Sequence, residues 1–298
     1  MTDVIVRVEH LTVDFGDFRA LNDISCEFRE GGVVGLIGQN GAGKTTLVHS
    51  ILGQTTTSGT VFRQDALIAY CPDTPAFEPF LSAREVLAQS SLLAMKPRRL
   101  SPREATETLR RVGLADVGSR KIGGFSLGMK QRLGIAAALV LRPRLLFLDE
   151  PTSALDPMGR EDVLDVIVAA AEETTVVMSS HILDDVQRVA SRLLVLDGGN
   201  LLYDGLPEDF ISSREHDDRV TLRVDGNPLS FVEDLRARGV AAHDVSGTPD
   251  QVSIARRDLG ATLELLSRTP ERLVALSAGE ATLQAAFVER LGRARSAA

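Results

Sequence analysis

Long apolar runs are missing from this sequence: no stretch of its 298 residues approaches the ~20 apolar residues that span a bilayer. Any membrane role is therefore expected to come through a partner. The opening stretch, MTDVIVRVEH, has no basic head followed by an apolar core, so no signal peptide is expected. Cysteine is scarce. Cys26 and Cys71 are too few for a disulfide framework, and a reducing cytosol suits them. Positive charge is in deficit at a net −8, which argues against nucleic acid as the main partner, because neutralising phosphates needs a basic face. Only four of the 33 basic residues are lysine, so Lys44 is one of very few. Aromatics are thin as well, with 11 phenylalanines, 2 tyrosines and no tryptophan. What is left is a chain long enough to bury a good core, as one large domain or two.

The stretch that carries chemistry is Gly38 to Thr46, GQNGAGKTT. Gly38, Gly43, Lys44 and Thr45 fit the phosphate-loop pattern G-x-x-x-x-G-K-[ST]. An apolar run, Val33 to Ile37, precedes it and reads as a buried strand; Thr46 to Leu52, closed by Gly53, reads as a helix with a glycine stop. Glycines let successive N–H groups turn toward phosphate oxygens, and the helix N-terminus adds partial positive charge. Lys44 supplies a mobile cation for the terminal phosphates, and the Thr45 hydroxyl can ligate Mg²⁺. A chance match in a chain of this length arises roughly once in a hundred sequences, before strand and helix are required on either side. The reading is a nucleoside triphosphate site, with Gln39, Asn40, Gly41, Ala42 and Thr46 completing the loop around the fixed positions.

Ahead of that loop, Val4 to Val13 and Ile24 to Phe28 alternate apolar and polar residues, as two antiparallel strands with one wet face do. Between them Asp14 to Phe18 makes a turn in which Phe15 either stacks on a purine base or plugs a sheet edge. Beyond the loop, Gly59 to Tyr70 reads as short strands and Tyr70 to Pro75 as a proline-punctuated loop. Ser82 to Ala94 has helical spacing. Ser101, Pro102 and Glu104 form an N-cap, N1 and N3 set, starting a helix that stops at Gly113. Residues of about 80–124 are thus expected to form a helical subdomain. Ser126 caps a further helix through Leu133, Ala136, Ala137 and Val140; with Gly128 beside it, this is either an ordinary capped helix or a second anion site.

Leu145 to Leu148 is a short buried strand that ends in Asp149-Glu150-Pro151. At the carboxyl end of a parallel strand such an acidic pair faces the ligand crevice. Asp149 is expected to hold Mg²⁺ directly or through water, and Glu150 to polarise the attacking water as general base. Thr175 to Ser179 is another buried strand that delivers His181 to the same edge, where it can contact the γ-phosphate or the water. Ile182 to Leu193 is expected as a helix, and Leu194 to Tyr203 as a hairpin around Gly198-Gly199. A charged break at Arg214 to Asp218 marks a boundary, giving domains of 1–212 and 213–298. Past it, strand 219–225, helix 228–238, strands 241–246 and 251–255, helix 258–267, strand 272–276 and helix 280–291 run in β-α-β-β-α-β order. That order predicts a small ferredoxin-like α+β domain, with His216 and His243 on its surface.

These motifs, in this order over residues of about 4–212, resemble those of the ATP-binding subunits of ABC transporters. GQNGAGKT is similar to their Walker A motif, LLFLDEP to Walker B, FSLGMKQRL to the signature sequence, Ser153 to Asp156 to the D-loop and His181 to the switch histidine. The resemblance implies an α/β P-loop NTPase core with an antiparallel β subdomain and a helical one, using ATP and Mg²⁺. It places Phe15 where the family stacks the base, and brings Ser126, Gly128 and Asp156 to nucleotide across a dimer. Two chains, identical or different, would share two ATP sites and drive integral membrane permease subunits from the cytoplasmic face of the membrane. FSLGMKQ and a small C-terminal domain look like the exporter branch that handles drugs, antibiotics or lipids. The alternative is an ATPase of the same architecture that remodels a macromolecular complex. Two positions depart from the family: Leu127 replaces the first signature glycine, and Asp73 stands where the Q-loop glutamine contacts the metal or water. Asp73 is therefore expected near the metal.

Overall fold

The computed structural model describes residues 3–94, 97–212, 219–225, 228–244, 251–267, 273–278, 282–284, 286–288 and 290. It separates into two units, one running to Pro207 and one from Glu208. The charged break at Arg214 to Asp218, and His216 within it, lie outside the described residues.

In the first unit, period-two alternation builds β1 (Val4–Phe15) and β2 (Phe18–Arg29), paired antiparallel from Val4↔Arg29 to Phe15↔Phe18 around a turn at Gly16-Asp17. Then follow β3 (Val33–Ile37), α1 (Lys44–Ile51), β4 (Ser58–Arg63) and β5 (Ile68–Cys71). Helices α2 (Ala83–Leu93), α3 (Pro102–Arg111) and α4 (Leu127–Leu139) come next. The unit continues through β6 (Leu145–Leu148), α5 (Pro157–Ala170), β7 (Thr175–Ser180), α6 (Leu183–Val189), β8 (Arg192–Asp197) and β9 (Asn200–Gly205).

β4 joins the first pair to make a small antiparallel sheet, β2-β1-β4. The main sheet runs β5-β6-β7-β3-β8-β9, parallel throughout except for β9 on β8. Its strands alternate between two cores, because successive side chains point to opposite faces. Leu36, Leu145, Phe147 and Val177 pack on one face with α1 and the small sheet. Leu146, Leu148, Val176 and Met178 pack on the other with the helices, including Leu87, Leu109 and Leu133. The helical region thus shares one core with the sheet beneath it.

The helix expected over Ile182 to Leu193 is shorter than its pattern. It ends at Val189, Ala190 is extended, and Arg192 already opens β8. Leu193 and Leu194 pair in register with Gly35 and Leu36, so the parallel ladder claims an apolar run that also fits a helix.

The second unit holds α7 (Pro207–Ser212, from Glu208 on), β10 (Arg219–Val224), α8 (Pro228–Arg236), β11 (Ala242–Asp244), β12 (Gln251–Ala255), α9 (Leu259–Leu266) and β13 (Leu273–Ala278). Its sheet is ordered β11-β12-β10-β13 with antiparallel neighbours, over a core that includes Leu222, Phe231, Leu235 and Ile254. Of the expected last helix, residues 283–284, 286–288 and 290 are helical and the rest lie outside the described residues.

Candidate active site

Because β5, β6, β7 and β3 are parallel neighbours, their carboxyl ends meet at one edge of the sheet. β3 releases the chain into Gly38, β6 into Asp149, β7 into His181, and β5 leads into Asp73. Side-chain parity then decides what meets α1. Tyr70, Phe147 and Val177 share the α1 face, and so do Asp149 and Ser179, two residues further along their strands.

The loop between β3 and α1 is shaped by what its glycines avoid. A β-carbon at Gly38 would sit 2.5 Å from the Leu196 carbonyl oxygen. Gly43 precedes α1 at φ 103, a left-handed conformation that glycine adopts without strain, and a β-carbon there would meet Leu21 at 2.6 Å. α1 begins with neither a side-chain cap nor an acidic residue in its first turn. By contrast, α2, α3, α4 and α5 are all capped, by Ser82, Ser101, Ser126 and Asp156. An uncapped start leaves the positive end of the helix to an external anion.

Lys44 is buried, and its Nζ donates to the Gly38 carbonyl at 2.8 Å while lying 3.4 Å from Glu150 Oε1. Thr45 Oγ1 donates to Asp149 Oδ2 at 3.0 Å, and the Tyr70 hydroxyl reaches the same oxygen at 3.3 Å. Burial, then the Asp149 charge, push the Tyr70 pKa up, so its hydroxyl stays a donor. Ser179 Oγ donates to Asp149 Oδ1 at 2.5 Å. Glu150 turns off the strand at φ 44, and its Oε2 lies 2.7 Å from His181 Nδ1. The Glu150 carboxylate therefore bridges the lysine and the histidine. Thr45 and Asp149 offer two hard oxygen donors, and among the described residues no cluster of three or more His, Cys, Asp or Glu could form a metal cage. Such a donor pair suits a cation that completes its shell with water and phosphate, as Mg²⁺ does.

The other expected residues are distributed as follows. Gln39, Asn40 and Gly41 are exposed, Ala42 is buried with its N–H on the Gln39 carbonyl, and Thr46 is half-buried in the first turn of α1. Phe15 stands exposed on the β1–β2 turn. Ser126 caps α4 through the Met129 N–H at 3.2 Å, with Gly128 in its first turn; α4 belongs to the helical core on the face of the sheet away from α1. Asp156 caps α5 through the Gly159 N–H at 2.7 Å. Asp73 is exposed, its Oδ1 accepting from the Thr74 N–H at 2.8 Å, and among the described residues no metal-binding cluster gathers it with Asp149 and Glu150. Sequence reasoning missed Tyr70 and Ser179. A hydroxyl in an otherwise apolar strand, in step with Asp149, is the signal that could have found them.

Among known proteins, the family described as ABC transporter matches residues 21–153. An uncharacterized ABC transporter ATP-binding protein of Bacillus subtilis (strain 168), YxlF, is 32% identical over 270 residues, 88% of this chain and 90% of that protein. The daunorubicin resistance ATP-binding protein DrrA2 of Streptomyces coeruleorubidus is 36% identical over 221 residues, 70% of this chain and 69% of that one. Among solved structures, cbiO1 from Clostridium perfringens, part of the ABC transporter complex cbiONQ, superposes with a TM-score of 0.63 at 25% identity. The superposition covers 72% of this chain and 92% of that chain.

Proposed function

The chain belongs to the ATP-binding subunits of ABC transporters, and from that premise we propose that it powers a separately encoded permease exporting a drug- or antibiotic-like molecule. Binding nucleotide and hydrolysing ATP are the work of its family. Among the described residues no helix is long and apolar enough to cross a membrane, and ABC ATP-binding proteins work with membrane permease subunits. The export reading draws on the daunorubicin resistance named for DrrA2, on the FSLGMKQRL signature and on the small second unit. The permease would hold the chain at the inner face of the membrane.

One observation carries the chemistry: Lys44, Thr45, Asp149, Glu150 and His181 converge within hydrogen-bonding and ion-pair distances at the end of the parallel sheet. In our reading the loop N–H groups and Lys44 would hold the phosphates, while Thr45 and Asp149 would hold Mg²⁺, which would offset phosphate charge when bound. Glu150 takes the proton of the attacking water, and His181 fixes the direction of that carboxylate. Phe15 stacks the base, and Ser126, Gly128 and Asp156 belong to the half-site that a second chain, identical or different, brings to the nucleotide.

Glu150→Gln tests the assignment. It keeps the shape of the bridge to Lys44 and His181 but removes the base, so ATP should still bind while turnover falls by roughly 10²-fold or more. Lys44→Ala should weaken binding itself. Equal turnover in Glu150→Gln and the parent chain would remove Glu150 from its role.

A further inference from the structure

We propose that Ser179 is a positioning residue of the hydrolytic site. Its buried hydroxyl decides which Asp149 oxygen is offered to the metal and holds Glu150 in its left-handed turn. A serine hydroxyl has one proton to give and two lone pairs to offer. Here the proton goes to Asp149 Oδ1 at 2.5 Å, and one lone pair takes the Glu150 N–H at 2.9 Å. Ser179 itself is 1% exposed, so no water competes for either bond.

The two Asp149 oxygens are thereby made different. A carboxylate can otherwise exchange them by rotating about its last torsion, which is broad and two-fold. With Oδ1 committed to Ser179, Oδ2 is the oxygen left beside Thr45, at 3.0 Å. Tyr70 does not hold Oδ1. Its hydroxyl lies 3.3 Å from Oδ2, the same oxygen that Thr45 uses.

The bond to Glu150 acts on the backbone. Glu150 is one of four described non-glycine residues with positive φ, at 44°, a conformation that persists only when neighbours over-determine it. Its N–H is held by both the Ser179 hydroxyl and the Ser179 carbonyl, at 2.9 and 3.2 Å. That turn sends the carboxylate back over the loop, to Lys44 and His181. One hydroxyl thus ties the metal-facing carboxylate to the base.

The inference rests on the reading that Asp149 and Thr45 hold the metal, and the test separates the two. Mn²⁺ is titrated into the full chain loaded with a non-hydrolysable ATP analogue, followed by electron paramagnetic resonance, with turnover measured in parallel. Ser179→Ala should raise the Mn²⁺ dissociation constant by about 10-fold or more, the scale of losing a ligand's supporting hydrogen bond. It should lower kcat while KM for ATP moves less than about 3-fold. Ser179→Thr, which keeps the hydroxyl, should recover most of the affinity. Ser180→Ala is the control, equally buried in the same strand but with its hydroxyl bonded to Ile182 among the described residues, and should leave the Mn²⁺ affinity alone. If Ser179→Ala does not fold, Ser179→Cys, close in shape with a weak donor, takes its place with the same expectation. Parental Mn²⁺ affinity in the Ser179 variant, or an equal loss in Ser180→Ala, would overturn the proposal. Absence of Mn²⁺ binding to the parent chain would overturn the metal reading on which it stands.

Discussion

Asp73 is the residue at which chemistry and position pull apart. By resemblance it is expected at the family's glutamine position after β5; by geometry its carboxylate accepts from the adjacent Thr74 N–H and is exposed. In this geometry the Asp73 carboxylate is engaged by the backbone of its neighbour in a proline-punctuated loop. Asp73→Gln should therefore leave turnover within several-fold of the parent, with the ratio of Mg²⁺- to Mn²⁺-supported rates unchanged. A loss on the scale of Glu150→Gln would mean that Asp73 reaches the reacting groups. The contrast with Asp149 shows what was legible at this scale. Lys44, Thr45, Asp149, Glu150 and His181 could be read from the chain because each follows directly on a buried strand or opens the helix after one. Tyr70 and Ser179 could not, because their partner lies 79 and 30 positions away and the meeting depends on strand order. Neighbours in a motif are visible in sequence, whereas neighbours across a ladder appear only once the sheet is assembled.

Among the elements, α3 was read from the side chains that start it and α2 from its apolar spacing, and both starts prove to be capped. Ser82 with Glu85 and Ser101 with Glu104 both close reciprocal capping boxes. The consequence is a titration. The Ser101 backbone N–H, then its hydroxyl, then Arg98, hold the Glu104 pKa down to about 2; the Ser82 hydroxyl and N–H, then Lys121, do the same for Glu85. A carboxyl whose folded pKa is depressed stabilises the fold above its unfolded pKa, about 4.3, and that contribution is lost as pH falls toward about 2. Glu104→Ala should thus lower the thermal midpoint at pH 7, and the gap from the parent should close through that window. A gap that stayed constant down to pH 2 would show that packing, and not the charged cap, carries the effect. Ser101→Ala should cost about 1 kcal/mol at neutral pH through the same cap. The end of α6 was misread. α6 stops at Val189 because Leu193 and Leu194 enter the ladder beside β3, a tertiary choice that a periodic pattern does not contain.

For the whole molecule, the arrangement of α1 and α4 poses the question of how a site is completed. The first unit has a glycine-flanked helix start at Gly43-Lys44 and another at Ser126, whereas the proposed metal-holding pair, Thr45 and Asp149, lies beside the first. α1 packs on one face of the main sheet and α4 in the helical core on the other. A dimer in which Ser126 of one copy would close over phosphates held by Lys44 of the other would complete such a site. Mixing chains separates this from a site made by one chain. In a dimer of Lys44→Ala with Ser126→Arg, shared sites would put both defects at one nucleotide and none at the other; unshared sites would damage both. With Glu150→Gln added to both chains to halt turnover, the mixed dimer should occlude one ATP, and each mutant homodimer essentially none. The measurement is retained radiolabelled nucleotide after rapid gel filtration, with mixed dimers isolated through two different affinity tags. Full retention by either homodimer, or none by the isolated mixed dimer, would exclude site sharing.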